Sequence, residues 1–233
     1  MTKLCYDCSL PLSDQKTNKE HVPAKCLFKG YEGNFTHDLI TITAHENCNL
    51  SYSHMDDELR NFVAILTDGK ENQSILKKTF SSIARKEIER FKPEKDALGV
   101  SFDYGTILLL HEKTFKGLFY YTYDNPISTD KYRIFNLTEG EERMPLMNFT
   151  KMLYQRFIKP IEDWQVSGHE EVFRYKIVML TQQNNDLIVT SDMDQMLVSI
   201  CAMQYYKTVF ALSMAIEIDW AEKLMNGKGK WCD

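Results

Sequence analysis

The chain lacks long hydrophobic runs and has no basic excess. No apolar stretch in its 233 residues approaches the ~20 residues that span a bilayer. The N-terminal segment MTKLCYDCSL has neither the basic start nor the apolar core of a secretory signal. We therefore expect a cytoplasmic protein without membrane contact. The net charge of −5 argues against a free-standing, non-specific DNA-binding protein, because such proteins are usually basic.

Internal repeats and low-complexity linkers are also lacking. The chain is 43% hydrophobic and 26% charged, which is typical of a globular protein that buries a core. It contains six cysteines, two of which form a CxxC pair. In a reducing compartment such a pair favours metal ligation over disulfide formation.

The first 55 residues differ in composition from the rest of the chain. They contain four of the six cysteines and four of the six histidines, many turn residues and little amphipathic periodicity. A segment of this kind cannot fold on a large core of its own, so a bound metal is expected to stabilise it. We predict two domains, residues 1–66 and residues 67–233, the second for substrate or partner binding.

Hydrophobic periodicity predicts an α+β fold in which helices pack on an antiparallel sheet. Ser53 and Asp56 are spaced like a capping box at the start of the first predicted helix. The predicted helices cover residues 55–66, 71–92 and 106–121, and a segment from residue 147 to near Pro160. The predicted strands cover residues 38–44, 131–137, 172–180, 195–206 and 207–216.

Two short pairs of metal-ligating residues frame the N-terminal segment. Structural zinc needs four soft or borderline ligands, and two tight pairs from distant chain positions supply such a set. Cys5, Cys8, His45 and Cys48 are therefore predicted to hold structural Zn²⁺. The alternative is that the cysteines are ordinary reduced thiols beside an exposed histidine. Cys26 competes as the fourth ligand, but it has no partner at zinc spacing and is assigned as a small buried apolar residue.

Between the two pairs lies a carboxylate next to a histidine, Glu20-His21, and Asn49 directly follows the last cysteine. A histidine can take a proton from water at neutral pH, and a carboxylate can hold a hard cation. Consecutive strand residues point to opposite faces, so both side chains can serve one site only if the strand bends or ends, which Pro23 allows. Taken alone, a Glu-His pair is usually part of the surface, and a helix-terminal Asn is common.

The order CxxC, acidic-His, HxxC-Asn resembles the zinc-containing HNH endonucleases, also called ββα-metal or His-Me finger enzymes. The segments KEHVPAKCLF and DLITITAHENCN carry the resemblance, which extends over residues 5–60. It implies that residues 1–66 form a zinc-braced ββα-metal finger. It also implies metal-dependent hydrolysis of phosphodiester bonds in DNA.

The resemblance further implies a role for each site residue. His21 is expected to be the general base that activates water. Glu20 and Asn49 are expected to hold a catalytic Mg²⁺ or Mn²⁺ that stabilises the transition state. Two residues depart from the family pattern, because Glu20 stands where Asp is more usual and His45 where Cys is more usual. Three residues compete for the middle position of the motif: Asn34, His37 and Asp38.

The acidic balance bears on the expected partners. The expected substrate is DNA, and RNA stays open as an alternative. Because the chain is acidic, the nucleic acid must be contacted through a local basic patch or delivered by a protein partner. An effector in an antiviral defence complex is one such context. The alternative function is a non-catalytic, zinc-stabilised module that binds nucleic acid or protein. A zinc hydrolase of small molecules ranks last, since four protein ligands leave no open zinc position.

Overall fold

The computed structural model of the chain combines helices with antiparallel sheets, and this confirms the predicted α+β class. It describes residues 2–29, 38–53, 55–67, 76–77, 79–81, 91–94, 97–100, 102–138, 146–184 and 186–225. Within these residues, no helix combines the length and the apolar character needed to cross a membrane.

The N-terminal elements follow the order strand, strand, helix, helix. They are β1 (Thr17–Val22), β2 (Ile40–His45), α1 (Glu46–Leu50) and α2 (Asp56–Leu66). The two strands pair antiparallel, with Glu20 opposite Ile42 and His21 opposite Thr41. The alternation predicted for residues 38–44 is confirmed, because Ile40 and Ile42 are buried while the threonines between them are exposed.

The start of α2 differs from the predicted capping box. Met55 occupies the N-cap position and makes no side-chain capping hydrogen bond, while the Ser53 hydroxyl donates to the Leu50 carbonyl at 2.9 Å. The first turn instead carries three acidic residues, Asp56, Asp57 and Glu58. Negative charge at this end is stabilised by the helix dipole, so the capping-box prediction was wrong about the mechanism and correct about the helix.

The remaining elements form a large sheet with a long helix on one face, and a separate two-stranded sheet made by the first two strands of the following list. They are β3 (Phe91–Glu94), β4 (Ala97–Val100), α3 (Tyr104–Tyr123), β5 (Tyr132–Thr138), α4 (Leu146–Leu153), β6 (Gln165–Val166), β7 (Phe173–Gln183), β8 (Asp186–Thr190), β9 (Val198–Tyr205), β10 (Val209–Glu217) and α5 (Ile218–Met225). The large sheet has the order β5-β10-β9-β7-β6, with β8 paired to β7. Its pairings are all antiparallel, as predicted.

One predicted helix ends where expected, and a second does not. The helix that begins near residue 147 passes into a π-helical turn, Tyr154–Ile158, and stops before Pro160. Of the helix predicted over 71–92, residues 76–77 and 79–81 are helical, whereas residues 91 and 92 belong to β3. The other positions of that segment lie outside the described residues. Lys92 precedes Pro93, and a residue before proline is driven from helical to extended backbone.

The central helix α3 separates the N-terminal hairpin from the large sheet. The Asp103 carboxylate caps its start by accepting the Gly105 backbone N–H at 3.1 Å. Alternate residues of β9 face opposite sides of the sheet. Cys201, Met203 and Tyr205 lie in the core that surrounds α3, while Ile200 lies in a second core covered by α4 and α5.

The core around α3 also contains residues of the N-terminal segment. Val22, Ile42 and Leu59 belong to the same buried cluster as Phe119 and Tyr205. The boundary predicted at residue 66 coincides with the end of α2, but the apolar side chains on its two sides share one core. The N-terminal segment is therefore stabilised by packing against α3 as well as by any bound metal.

Gly117 marks the closest approach of α3 to the hairpin. A Cβ at this position would lie 2.7 Å from Val22 Cγ2 and 3.1 Å from Val22 Cγ1, and the branched Val22 side chain is stiff. We expect Gly117→Ala to lower the free energy of unfolding by about 1–3 kcal/mol, despite the better helix propensity of alanine. Urea unfolding of the purified variant measures this.

Gly105→Ala is the matched control for this change. A Cβ there would meet only the Asp103 carboxylate, at an ordinary 3.4 Å, so stability should stay equal or rise slightly. Equal stability of both variants and the wild type would show that the contact between α3 and β1 is looser than described.

Candidate metal centre

The first cysteine pair lies in a tight turn at the start of the chain. The Cys5 N–H donates to the Leu10 carbonyl at 2.8 Å, and the Cys5 carbonyl accepts the Ser9 N–H at 3.0 Å. Ser9 adopts a left-handed conformation with φ of 60°. This turn directs the side chains of Cys5 and Cys8 toward one point, since both belong to the same close group of ligand atoms.

The surroundings of Cys5 favour its thiolate. Burial of the side chain opposes ionisation, but hydrogen bonds from the backbone N–H groups of Cys8, His45 and Asp7 outweigh it and lower the pKa of the Cys5 thiol. The thiolate is the form of cysteine that binds metal. Cys48 shows the opposite behaviour, because burial and the neighbouring Cys5 and Cys8 sulfurs raise its pKa. A cation among these sulfurs would relieve that repulsion.

The second pair begins where β2 ends. His45 is fully buried, and its Nε2 lies 3.0 Å from the Pro11 carbonyl oxygen. A carbonyl only accepts hydrogen bonds, so Nε2 carries the proton and Nδ1 has a lone pair. Nδ1 lies 3.2 Å from Cys8 Sγ. A carbonyl that accepts from the outer nitrogen is the usual way of fixing a metal-binding histidine.

The four ligand atoms fit a tetrahedral metal. The Sγ atoms of Cys5, Cys8 and Cys48 and a ring nitrogen of His45 all lie within 4.8 Å of one another. Zinc bonds of ~2.0–2.3 Å would place such atoms about 3.5 Å apart, so small side-chain movements would close the shell. The predicted cluster is thus confirmed as a group that could hold a metal such as zinc.

Cys26 lies outside this cluster. Its thiol donates to the Asp56 carbonyl at 3.3 Å, and burial raises its pKa to about 12. The sequence predicted a small buried apolar residue, and the structure places Cys26 in a half-buried position. It keeps its proton at neutral pH and does not compete for the metal.

His21 lies on β1 with one ring nitrogen engaged. Its Nδ1 is 3.1 Å from the Thr41 hydroxyl oxygen, and that hydroxyl donates its own proton to the Leu39 carbonyl. Nδ1–H is therefore the donor, and Nε2 has the free lone pair of a base. Partial burial, with the charges of Lys25 and Lys19, lowers the pKa of His21. The ring is consequently neutral at pH 7 and able to accept a proton.

The Glu20 carboxylate points in the opposite direction, into the protein. It is 4% exposed, and its Oε1 lies 3.2 Å from Lys113 Nζ on α3. Burial raises the pKa of Glu20 to about 7, although the Lys113 ammonium opposes the shift. Lys113 also contacts Asp56 at the start of α2, with 3.0 Å between Nζ and Oδ1.

Asn49 braces α1 against β1. Its amide nitrogen donates to the Asn18 side-chain oxygen at 2.9 Å and to the Lys19 carbonyl at 3.1 Å. These bonds use the amide nitrogen of Asn49, whereas Glu20, the other side chain predicted to hold Mg²⁺ or Mn²⁺, has its carboxylate paired to Lys113. With Glu20 paired to Lys113, this arrangement does not fit a divalent ion bound between Glu20 and Asn49.

Of the three candidates for the middle motif position, Asn34 and His37 lie outside the described residues. Asp38 precedes β2, and its carbonyl accepts the Gly168 N–H at 3.3 Å. Sequence reasoning missed Lys113 and Asp56. A signal existed for Lys113, since a lysine in the apolar run TILLLHEKTFKGLFYY is costly to bury without a charged partner.

No family model, curated protein or solved structure matches this chain. The HNH resemblance therefore depends on the motif residues of the sequence alone.

Proposed function

We propose that this chain is an HNH-type endonuclease that hydrolyses phosphodiester bonds in DNA, with His21 as the general base. The observation that carries the proposal is the state of the His21 ring. Thr41 holds Nδ1–H, the lowered pKa keeps the ring neutral, and the residue lies on a hairpin whose partner strand ends in the metal cluster. A fixed, neutral histidine of this kind suits the abstraction of a proton from water.

The HNH resemblance implies the following reaction. Nε2 of His21 takes a proton from water, and the resulting hydroxide attacks phosphorus. The bond from phosphorus to the 3′ oxygen breaks, which leaves a 5′-phosphate and, after protonation, a 3′-hydroxyl. The imidazolium that forms is stabilised because the Thr41 oxygen accepts its Nδ1–H. Exposed Lys19 and Lys25, whose charges act on His21, supply local positive charge for the phosphate backbone in an otherwise acidic chain.

Zinc has a structural part in this proposal. When bound by Cys5, Cys8, His45 and Cys48, it would tie the first turn to the junction of β2 and α1 and so fix the hairpin that carries His21. No step is assigned to a second ion at Glu20 and Asn49, since the positions of these residues do not fit one.

Cleavage of supercoiled plasmid in Mg²⁺ or Mn²⁺ tests the function. We expect His21→Ala to lower the cleavage rate by about 10²–10⁴-fold, the range typical of a lost general base, and to retain its zinc. The matched control is His169→Ala, at a half-buried histidine in the loop before β7, which should cleave like the wild type. Equal cleavage by wild type and His21→Ala would refute the assignment of the base.

A second function, a non-catalytic zinc-stabilised binding module, is favoured by one observation. Glu20 and Asn49 are both engaged by protein groups, as in a module that has no catalytic ion. The net charge of −5 then favours a protein partner over naked DNA. Zinc-loaded wild-type protein that never cleaves nucleic acid under these conditions would favour this alternative. A nuclease delivered to its substrate by a protein partner, as in an antiviral complex, remains part of the first proposal.

A further inference from the structure

Lys113 lies between carboxylates from two different elements. Its Nζ is 3.2 Å from Glu20 Oε1 on β1, and 3.0 and 3.3 Å from the two carboxylate oxygens of Asp56 on α2. It also lies over the Tyr52 ring, 5.1 Å from the centroid. The side chains of Lys113 and Glu20 are 5% and 4% exposed. The ammonium is thus held as a cation in a buried site of oxygen atoms.

The charges of this site do not balance, and two of its polar atoms have no hydrogen-bond partner in the described part of the chain. Two ionised carboxylates with one ammonium would leave one net negative charge, which a buried site stabilises poorly, and burial accordingly raises the pKa of Glu20 to about 7. Glu20 Oε2 and the hydroxyl oxygen of Tyr6 are both buried without a hydrogen-bond partner in the described part of the chain. Both residues line one small cavity with His21, Asp56 and Lys113. The cavity has about 10 Å³ of free space, which is room for about one water molecule.

We propose that Glu20 and Asp56 form a latent divalent-cation site, and that the Lys113 ammonium occupies the cation position in the resting protein. Oxygen donors from two carboxylates, with a phenol and a water-sized space beside them, suit Mg²⁺ or Mn²⁺. A divalent ion added beside Lys113 would leave the site with a net charge of +1, so the ammonium excludes it. The ion can enter only when Lys113 withdraws or is removed.

The consequence for catalysis depends on the proposed nuclease function. His21 follows Glu20 on β1 and also lines the cavity, but its ring points away from the Glu20 carboxylate, so an ion that replaced Lys113 would bind one residue away from the general base, on the other face of β1. In this proposal, withdrawal of Lys113 from the two carboxylates by a movement of α3, with Mg²⁺ or Mn²⁺ present, raises the cleavage rate above the basal rate of the resting chain. A protein partner that shifts α3 is one way to achieve this.

Manganese binding by Lys113→Met tests the site without reference to activity. Methionine retains the apolar stem of lysine and removes the charge. We expect Lys113→Met to bind one Mn²⁺ at least about 100-fold more tightly than the wild type, because a unit charge at this spacing dominates the cation's energy in a partly buried site. Electron paramagnetic resonance of free Mn²⁺ measures binding, and zinc content is measured on the same samples.

Two further variants locate the ion. Glu20→Gln/Lys113→Met should lose the gained Mn²⁺, because one carboxylate is neutralised. Lys116→Met is the matched control, because Lys116 lies on the same helix as Lys113 and is also paired to two carboxylates. Its Nζ lies 3.3 Å from Asp7 Oδ1 and 2.9 Å from Glu112 Oε1. The carboxylate oxygens of Asp7 and Glu112 are not among the buried atoms without a hydrogen-bond partner in the described part of the chain, so Lys116→Met should gain no Mn²⁺.

Removal of Lys113 could also unfold the chain, because it leaves two carboxylates facing each other. In that case Mn²⁺ should restore cooperative thermal unfolding to Lys113→Met. The proposal is overturned if Lys113→Met neither binds Mn²⁺ nor regains its fold in it. It is also overturned if wild-type protein binds Mn²⁺ equally tightly and Glu20→Gln abolishes that binding. Absence of nuclease activity in every variant would refute the proposed function alone, since the Mn²⁺ measurements do not depend on cleavage.

Discussion

Cys5→Ser is expected to abolish stoichiometric zinc binding and to unfold the N-terminal segment. Cys5 is fully buried, and three backbone N–H groups favour its thiolate. A serine hydroxyl stays protonated and is a poor zinc ligand. Apparent binding free energies of structural zinc are about 10–16 kcal/mol in small zinc-dependent domains. Loss of most of this would match the whole stability of a typical domain, which is about 5–15 kcal/mol.

The measurement is zinc per chain by plasma mass spectrometry, together with thermal unfolding with and without a chelator. Cys26→Ser is the matched control, because it makes the same atomic change at a half-buried thiol outside the cluster. We expect the control to retain one zinc per chain. A Cys5→Ser protein with one zinc and the wild-type unfolding temperature would show that the cluster is not structural.

Because Val22, Ile42 and Leu59 share their core with α3, the loss of zinc should also loosen the central helix. Wild-type protein treated with a chelator is therefore expected to unfold over a wider region than residues 1–66 alone. Hydrogen exchange of the α3 backbone amides would detect this, since their protection should fall when zinc is removed.

The second large effect is acid destabilisation caused by His111. This histidine is fully buried, with its Nδ1 3.1 Å from the Tyr205 hydroxyl oxygen. Burial lowers its pKa to about 4, whereas in the unfolded chain it titrates near ~6.5. Between these values the unfolded chain binds the proton and the folded chain does not, so the free energy of unfolding falls as the pH falls.

The stabilising contribution of neutral His111 is complete above pH ~6.5 and is lost progressively toward pH ~4. The difference between the two pKa values corresponds to about 3 kcal/mol. His111→Gln, which still offers Tyr205 a hydrogen-bond partner but does not titrate, should lose this pH dependence. Urea unfolding at pH 7, 5.5 and 4.5 would compare the two proteins.

Zinc ligands and carboxylates also take up protons in acid, so the informative quantity is the difference between variant and wild type. His169→Gln is the control for this comparison. It replaces a half-buried histidine and should retain the full acid dependence. An identical pH dependence in wild type and His111→Gln would show that His111 is not held neutral by burial.

Several features of this protein could be predicted because they depend on near neighbours in the chain. Alternating β-branched residues predicted β2, since strand periodicity needs only a few consecutive residues. The apolar run at 106–121 predicted the central helix, although its ends lie at Tyr104 and Tyr123. The two x-x spacings predicted the metal cluster, because each spacing alone brings two ligands to one side of a turn.

Other predictions were wrong where a second local signal opposed the pattern on which the prediction was based. Ser53 has the spacing of a capping residue, yet its hydroxyl bonds to the Leu50 carbonyl of the preceding turn. The periodicity over 71–92 predicted helix as far as Lys92, whereas β3 begins at Phe91 and Pro93 favours extended backbone in the residue before it. In each case the sequence contained the competing signal, and the choice between the two depended on which contact the fold completes.

The sequence by itself determined the α+β class, the strand β2 and the four candidate metal ligands, because periodicity and short spacings act locally. Only the tertiary structure decided the environment of Glu20. Its side chain, that of Asp56 and that of Lys113 come from β1, α2 and α3, which are distant in the chain. Their meeting depends on how α3 packs on the hairpin through Gly117. Burial and a fixed ammonium then set the charge of Glu20, and neither can be read from the motif that contains it.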